Sequence, residues 1–315
     1  MAQCGAGELP DAIFLGEAML ELSQNGESWT LGYGGDTLNT AVHLARAGIN
    51  IGYFTAMGGD EFSKQATRKW QAEGLDTSLV LTHPARIGGL YAISCDARGE
   101  RSFTYWRGES AAREMFDCPG TAAACETVGK ARLFGFSLIS LAILDDRGRN
   151  MVLEMARGVR DAGGMVAFDG NYRPQLWPDR ETAQFWRNRA IEVASVGLPT
   201  QEDEEALSGL ASASAIAEHW RGLGCVEVIV KMGVQGASLG GGPVIAPPQR
   251  LEAVDTSGAG DAFNAGYLAA RLSGASVEVA TLRGHQLAGW CVMQRGAIPP
   301  RPRSPLANPY AALRH

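Results

Sequence analysis

The nonapeptide D-T-S-G-A-G-D-A-F, residues 255–263, carries two glycines that flank an alanine where a predicted helix begins. We expect the N–H groups of Gly258, Ala259 and Gly260 to point outward with the positive end of the helix dipole. Such an end binds anions, and phosphate most naturally. Asp261 lies in the first turn, where a carboxylate can accept a proton from a hydroxyl beside that phosphate. Phosphoryl transfer to an alcohol needs this combination. The alternative is a plain capped helix, but two glycines lower helix propensity without a structural return.

Short apolar strands alternate with helices through most of the chain. A buried strand is predicted at 12–16, a helix at 36–48 and a second strand at 49–57, and the alternation resumes from residue 131. Repeated units of this kind predict a parallel sheet covered by helices on both faces. The predicted fold class is therefore α/β, with a central, mainly parallel sheet, in one domain that spans residues 1–315.

The segment 89–107 departs from this alternation. Alternating side chains on either side of a turn at 96–99 are typical of a β-hairpin. Tyr105 and Arg107 share one face of its second strand, because side chains two residues apart point the same way. We expect this hairpin and the segment 20–33 to form a small β-sheet lid, with the substrate between lid and sheet.

Composition excludes several classes of protein. The 315 residues carry 28 Lys and Arg against 34 Asp and Glu, a net charge of −6, which disfavours nucleic-acid binding. The six cysteines form no C-x-x-C, which favours a reducing cytoplasm over a disulfide framework. The N-terminus lacks the features of a signal peptide, and no apolar run approaches the roughly 18 residues of a membrane span. We expect a cytoplasmic protein that binds neither nucleic acid nor membrane.

The nonapeptide resembles the D-T-x-G-A-G-D signature of the ribokinase-like (PfkB) carbohydrate kinases at every fixed position. A second motif of that family, at residues 34–41, is a glycine pair that opens a helix and presents Asn39. Together the motifs extend the resemblance over nearly the whole chain. The resemblance implies a ribokinase-like fold, ATP as the donor and Mg²⁺ between the phosphates. It also implies that Asp261 is the catalytic base and that the N–H groups of Gly258, Ala259 and Gly260 stabilise the transferring phosphoryl group.

Further strings are similar to the branch of this family that phosphorylates the sugar acid 2-keto-3-deoxygluconate. They are residues 34–40, 89–91, 105–107, 171–177 and 295–297. The residues that we expect to bind this substrate are Gly34, Gly35, Asp36, Asn39, Tyr91, Tyr105, Arg107, Arg173 and Asp261.

The chemistry of these residues suits an acid. An aldonic acid carries a carboxylate that a neutral sugar lacks, and the planar donor forks of Arg107 and Arg173 fit a carboxylate or a phosphate. Tyr91 and Tyr105 offer hydroxyls and apolar faces to a polyol chain. The alternatives are a salt bridge at the rim for Arg107 and plain sheet packing for Tyr91.

Residues 231–236, K-M-G-V-Q-G, resemble the K-x-G-x-x-G loop beside the nucleotide, with a β-hairpin turn as the alternative. The residues that we expect to bind ATP are Asn171, Arg173, Lys231, Gly233, Gly236, Gly258 and Gly260. The N-x-x-E motif that organises Mg²⁺ in many relatives has Thr200 for Asn and Asp203 for Glu. Asp203 and Glu202 are therefore the metal candidates. The resemblance also allows a monovalent cation near Asp255 and the Gly296 loop.

Three other functions are compatible with parts of the sequence. A kinase of another small sugar, such as fructose or ribose, would not need arginines for a carboxylate. A sugar or nucleotide sensor on the same fold would not need Asp261. A nicotinamide dehydrogenase would need a G-x-G-x-x-G after the first strand, which is missing. Trp106 points away from the expected cleft, so we also expect a homo-oligomer formed through the lid.

Overall fold

The computed structural model describes residues 9–95, 101–302 and 308–313, so the predicted turn at 96–99 lies outside the described residues. The strands and helices are named in chain order. They are β1 (Ala12–Leu15), β2 (Met19–Asn25), β3 (Ser28–Gly34), α1 (Asp36–Arg46), β4 (Ile51–Gly58), α2 (Glu61–Glu73), β5 (Val80–His83), β6 (Gly89–Cys95), β7 (Arg101–Trp106), α3 (Thr121–Val128), β8 (Leu133–Ser137), α4 (Leu138–Ala142), α5 (Asp146–Asp161), β9 (Met165–Asp169), α6 (Arg180–Val193), β10 (Val196–Gly197), α7 (Gln201–Ser208), α8 (Ala213–Gly222), β11 (Glu227–Lys231), β12 (Ala237–Leu239), β13 (Val244–Ile245), α9 (Ala259–Leu272) and α10 (Val277–Val292).

Within the described residues, the larger sheet has nine strands in the order β13-β12-β11-β10-β9-β8-β1-β4-β5. Every neighbouring pair from β11 to β5 is parallel, and β12 and β13 extend the sheet as antiparallel strands. Strands β1 and β4 are buried along their whole length, as expected for strands covered on both faces. The prediction of an α/β fold with a mainly parallel sheet is confirmed.

Helices cover the two faces of this sheet with separate apolar clusters. One cluster contains Leu38 of α1, Tyr267 of α9 and Leu287 of α10. The other contains Val152 of α5 and Trp220 of α8. None of the helices in the described ranges is long and apolar enough to cross a membrane.

A second sheet, in the order β3-β2-β6-β7, forms the predicted lid. Its register places Tyr91 opposite both Glu21 and Tyr105, so these three side chains share one face. That face lines a cleft above the larger sheet. The same register puts Trp29 and Trp106 on the opposite face, where the two residues are 48% and 57% exposed.

Candidate active site

A cleft of about 1130 Å³ lies between the lid and the carboxyl ends of the parallel strands. Ligands bind at this edge of open α/β sheets. Every site residue that the sequence predicted lines the cleft except Gly34 and Asp255. Gly34 packs against Tyr91, which lines the cleft, and a Cβ on Gly34 would come within 2.3 Å of the Tyr91 hydroxyl. The absence of a side chain at Gly34 therefore leaves room for Tyr91.

The predicted anion site lies at the start of α9. Gly258 precedes the helix with φ +70°, and a Cβ there would lie 2.5 Å from the Cβ of Ala297. Glycine is therefore required for both conformation and space. Ala259 donates its N–H to the Thr256 carbonyl at 3.2 Å, so it closes the turn instead of pointing into the cleft. Within the described parts of the chain, the N–H groups of Gly258 and Gly260 have no hydrogen-bond partner. These two donors, and not all three that the sequence predicted, are left for an anion.

Asp261 follows this turn and is held from α1. The Asn39 amide donates to Asp261 Oδ2 at 2.8 Å, and the Thr40 hydroxyl donates to the main-chain oxygen of Asp261 at 3.3 Å. Burial raises the pKa of Asp261 to about 8, and the nearby carboxylate of Asp36 adds to the rise. The Asn39 hydrogen bond opposes it. A base with a pKa near the working pH is well matched to proton transfer.

Asp36 lies beside Asp261 at the start of α1. The Asn171 amide donates to Asp36 Oδ2 at 3.1 Å, and burial raises the pKa of Asp36. The preceding glycine, Gly35, has φ +152°, and a Cβ there would lie 2.3 Å from the Glu17 carbonyl oxygen. Gly35 thus lets the start of α1, which carries Asp36, approach the backbone that follows β1.

On the lid side of the cleft there is one salt bridge and one hydrogen bond between side chains. Arg107 forms a salt bridge with Glu17, whose side chain is fully buried. The Tyr91 hydroxyl donates to Glu21, and burial together with that carboxylate raises the pKa of Tyr91. Tyr105 stacks on Tyr91 with ring centroids 5.9 Å apart. Arg107 therefore forms an ion pair, as the alternative interpretation of the sequence held, and also lines the cleft.

Three buried polar atoms at the Arg107–Glu17 salt bridge and on Asn39 have no hydrogen-bond partner among the described residues. They are Glu17 Oε1, Arg107 Nε and Asn39 Oδ1. All three belong to side chains that line the cleft. Buried polar atoms without partners are costly, so these atoms are candidates to bind the hydroxyl and carboxylate groups of a polar ligand.

The loop at 231–236 connects β11 to the antiparallel β12, so it is a hairpin turn that also lines the cleft. Gly233 has φ +57°, and Gly236 has φ +110° with a Cβ position only 2.3 Å from the Ile245 carbonyl oxygen. Lys231 is buried and is 8% exposed, whereas residues 233–235 of the same loop are exposed. Its Nζ donates to Asp169 Oδ1 at 3.2 Å and to Asn264 Oδ1 at 3.1 Å.

The metal candidates lie at the start of α7. Glu202 and Asp203 both line the cleft, and Arg173 donates to Asp203 Oδ1 at 3.2 Å. Burial raises the pKa of Asp203, so a cation close to it would stabilise the ionised form. The described residues contain no group of three or more metal-ligating side chains. One or two carboxylates fit Mg²⁺ held mainly by phosphates and water.

At the candidate monovalent-cation site, both carboxylate oxygens of Asp255 accept hydrogen bonds from backbone N–H groups. Asp255 Oδ1 accepts from the Ser257 N–H at 3.0 Å, and Oδ2 accepts from the Gly296 N–H at 2.7 Å. These bonds connect the nonapeptide to the loop after α10. Asp255 thereby helps to fix the turn that presents Gly258.

Sequence reasoning missed four polar residues of the cleft region. They are Glu17, Glu21, Asp169 and Asn264. Glu17 follows β1 and Asp169 ends β9, so a search of every predicted strand end could have found both. Asn264 lies three residues after Asp261 on α9, where helical spacing puts it on a similar side.

Comparisons with known proteins show the family to which the chain belongs. The model of the pfkB family of carbohydrate kinases matches residues 11–304. The chain is 41% identical over 301 residues to the 2-dehydro-3-deoxygluconokinase of Escherichia coli strain K12, covering 92% of this chain and 97% of that one. A PfkB protein from Polaromonas sp. JS666 has a similar structure, with a TM-score of 0.81, 28% identity and coverage of 93% and 97%.

A further solved relative binds both kinds of ligand. The aminoimidazole riboside kinase from Salmonella enterica, complexed with aminoimidazole riboside and an ATP analog, has a TM-score of 0.77 and 26% identity, with coverage of 91% and 96%. The family match spans most of the chain, and the first relative is similar over almost its entire length. The chain belongs to the pfkB family of carbohydrate kinases.

Proposed function

We propose that the protein transfers the γ-phosphate of ATP to the terminal hydroxyl of 2-keto-3-deoxygluconate, giving 2-keto-3-deoxy-6-phosphogluconate and ADP. The observation that carries the proposal is the position of Asp261, in the first turn of α9 beside the free N–H groups of Gly258 and Gly260, at the floor of a cleft that Arg107 closes from the lid. The similarity to 2-dehydro-3-deoxygluconokinase, a synonym for the kinase of this acid, supports the substrate.

The proton and the phosphoryl group move in opposite directions. Asp261 accepts the proton as the O–H bond of the substrate breaks and its oxygen bonds to the γ-phosphorus. The bond from that phosphorus to the bridging oxygen of ADP breaks, and ADP leaves. The N–H groups of Gly258 and Gly260 stabilise the charge on the transferring group. Closure of the lid excludes water, which would otherwise compete as the acceptor.

The remaining cleft residues bind and orient the two substrates. Arg107 binds the substrate carboxylate, and the stacked rings of Tyr91 and Tyr105 contact the carbon chain. Asp36, Asn39 and the backbone at Gly35 bind hydroxyls, and Gly34 contributes by leaving space for Tyr91. Arg173, which lines the cleft, bridges acceptor and phosphate.

ATP occupies the part of the cleft formed by the hairpin loop and α10. Gly233 and Gly236 let the backbone approach the nucleotide, and Asn171, Arg173 and Lys231, which line the same cleft, bind its phosphates. When bound, Mg²⁺ neutralises charge on the phosphates. Asp203 and Glu202 would hold it, and a monovalent cation beside Asp255 and Gly296 would add to the charge balance.

We also propose that two or more copies associate through the outer face of the lid. The exposed indoles of Trp29 and Trp106 support this, because apolar residues clustered on one sheet face mark an interaction surface. A cytoplasmic location is compatible with the unpaired thiols of Cys118, Cys125, Cys225 and Cys291.

A substrate panel tests the proposal. ADP release is measured with ATP and Mg²⁺ on 2-keto-3-deoxygluconate, its galactonate epimer, fructose and ribose. We expect the highest kcat/KM for a keto-deoxy acid. A higher value for fructose or ribose would assign the protein to a neutral sugar instead, and no ADP release with any of them would favour a sensor.

A further inference from the structure

The buried side chains of Lys231 and Asn264 and the partly buried side chain of Asp169 form a closed ring of hydrogen bonds beneath the proposed phosphoryl-transfer site. Lys231 Nζ donates to Asp169 Oδ1 at 3.2 Å and to Asn264 Oδ1 at 3.1 Å. The Asn264 amide completes the ring by donating to Asp169 Oδ2 at 2.8 Å. The three residues come from the ends of β9 and β11 and from the second turn of α9. The Lys231 ammonium is thereby held in one place in spite of its long, flexible side chain.

The ring holds this ammonium next to the first turn of α9, which carries the proposed base. A Cβ placed on Gly260 would lie 3.7 Å from Lys231 Nζ, with no other neighbour within 4 Å, and Gly260 directly precedes Asp261. Side chains of Lys231 and Asp169 are 10% and 14% exposed, so their charges are only weakly screened by water. The positive charge of the Lys231 ammonium therefore has an electrostatic effect on the Asp261 carboxyl group.

We propose that Asp169 and Asn264 are positioning residues that hold the Lys231 ammonium beside the first turn of α9, where its charge favours the ionised form of Asp261. This rests on the proposed function in one respect, namely that Asp261 acts as the base. Without the ammonium, a carboxylate surrounded by other carboxylates in a buried cleft keeps its proton and cannot accept one.

The charges around Asp261 oppose one another. Burial and the carboxylates of Asp36 and Asp169 raise the pKa of Asp261, whereas the Asn39 amide and the Lys231 ammonium lower it. Asp261 also interacts with Tyr91 of the lid and Cys291 of α10, both neutral at pH 8 because their own pKa values are raised. Lys231 is thus the cation that offsets the two neighbouring carboxylates.

Lys231→Met tests the proposal, with Lys130→Met as the matched control. Lys130 lies on the surface in the turn after α3, where it forms an ion pair with Glu126 of that helix. Neither residue lines the cleft. The measurement is the pH titration of the Asp261 carboxyl carbon by NMR in the ligand-free protein, assigned by comparison with Asp261→Asn. An opposite charge within about 4–6 Å shifts a carboxyl pKa by about 1–3. We expect Lys231→Met to raise the Asp261 midpoint by at least about 1 pH unit, and Lys130→Met to leave it unchanged.

The double variant Lys231→Met/Asp169→Asn separates charge from loss of structure. It removes both members of the buried ion pair, so no carboxylate is left unpaired at Asp169. We expect the Asp261 midpoint to return towards the wild-type value. Asn264→Ala keeps both charges and loses one tether, so the midpoint should rise by less than in Lys231→Met.

An Asp261 midpoint that stays within about 0.3 pH unit of wild type in Lys231→Met would overturn the proposal. So would a midpoint in the double variant that stays as high as in the single variant. Because the titration needs no substrate, this result is independent of whether a keto-deoxy acid is phosphorylated. In active enzyme the acidic limb of kcat/KM should move to higher pH with the carboxyl midpoint.

Discussion

Replacing Arg107 by methionine separates recognition of an acid from recognition of a sugar. Methionine keeps an apolar stem and removes the guanidinium. A hydrogen bond to a charged group contributes about 1.5–3 kcal/mol, so its loss lowers kcat/KM for 2-keto-3-deoxygluconate by about 10- to 150-fold. For fructose or ribose, which carry no carboxylate, the change should be less than about threefold, or about 0.6 kcal/mol. Coupled ADP release with both kinds of substrate measures the two ratios.

The salt bridge with Glu17 complicates this substitution and also supplies its control. The Glu17 side chain is fully buried and that of Arg107 is 12% exposed, so removing the arginine alone leaves an unpaired buried carboxylate, at a cost of about 3–5 kcal/mol in stability. Glu17→Gln in the same chain removes that stranded charge and should restore most of the lost Tm. The loss of kcat/KM for the acid should persist in the double variant. An equal loss for acid and neutral sugar, or recovery of the acid in the double variant, would refute a role for Arg107 in binding the carboxylate.

Five other results are expected. Asp261→Asn should lower kcat by about 10²- to 10⁴-fold, measured as ADP release, because it removes the general base. In wild type, kcat/KM should fall about tenfold per pH unit below the Asp261 pKa of about 8; a flat profile from pH 6 to 8 would contradict this. Folding raises the pKa of Asp261 from 3.8 to about 8, so between these pH values the folded state holds a proton on Asp261 that the unfolded state has lost. The free energy of unfolding, measured in urea, should therefore fall as pH rises from about 4 to 8, and it should fall more in wild type than in Asp261→Asn. Gly258→Ala should abolish turnover because of its φ of +70° and its contact with Ala297, whereas Gly260→Ala should keep the fold, as judged by Tm. His43→Leu should lower Tm, because the buried His43, whose pKa burial lowers to about 4, bonds both the Tyr310 hydroxyl and the Ala297 carbonyl oxygen.

The elements that the sequence predicted best are those with a clear period or a clear end. The strand predicted at 12–16 is β1, Ala12–Leu15, and the helix predicted at 36–48 is α1, Asp36–Arg46. Short elements such as β12, with three residues, carry too few positions to show a period. The lid was predicted from its hairpin, but the parallel pairing of β2 with β6 joins segments far apart in the chain, and nothing local specifies it.

In the site, too, local motifs were predicted and contacts between distant segments were not. The nonapeptide and the glycine pair indicated the anion site and Asp261, because a motif keeps its chemistry within a few residues. The partners of those residues were not predicted, since Glu17 meets Arg107, and Asp169 meets Lys231 and Asn264, only in the folded chain. The sequence did not indicate that the Ala259 N–H donates to the Thr256 carbonyl oxygen in the turn that precedes α9.

The most direct measurement is the identity of the product formed from ATP and 2-keto-3-deoxygluconate. The central claim is that Asp261 takes the proton from the terminal hydroxyl while the γ-phosphate is transferred to that oxygen. We predict one phosphorylated acid whose ³¹P signal couples to the two protons on C6, formed in step with ADP by wild type and not by Asp261→Asn. A phosphate on another carbon, ADP formed without a phosphorylated acid, or the same product at the same rate from Asp261→Asn would contradict the account.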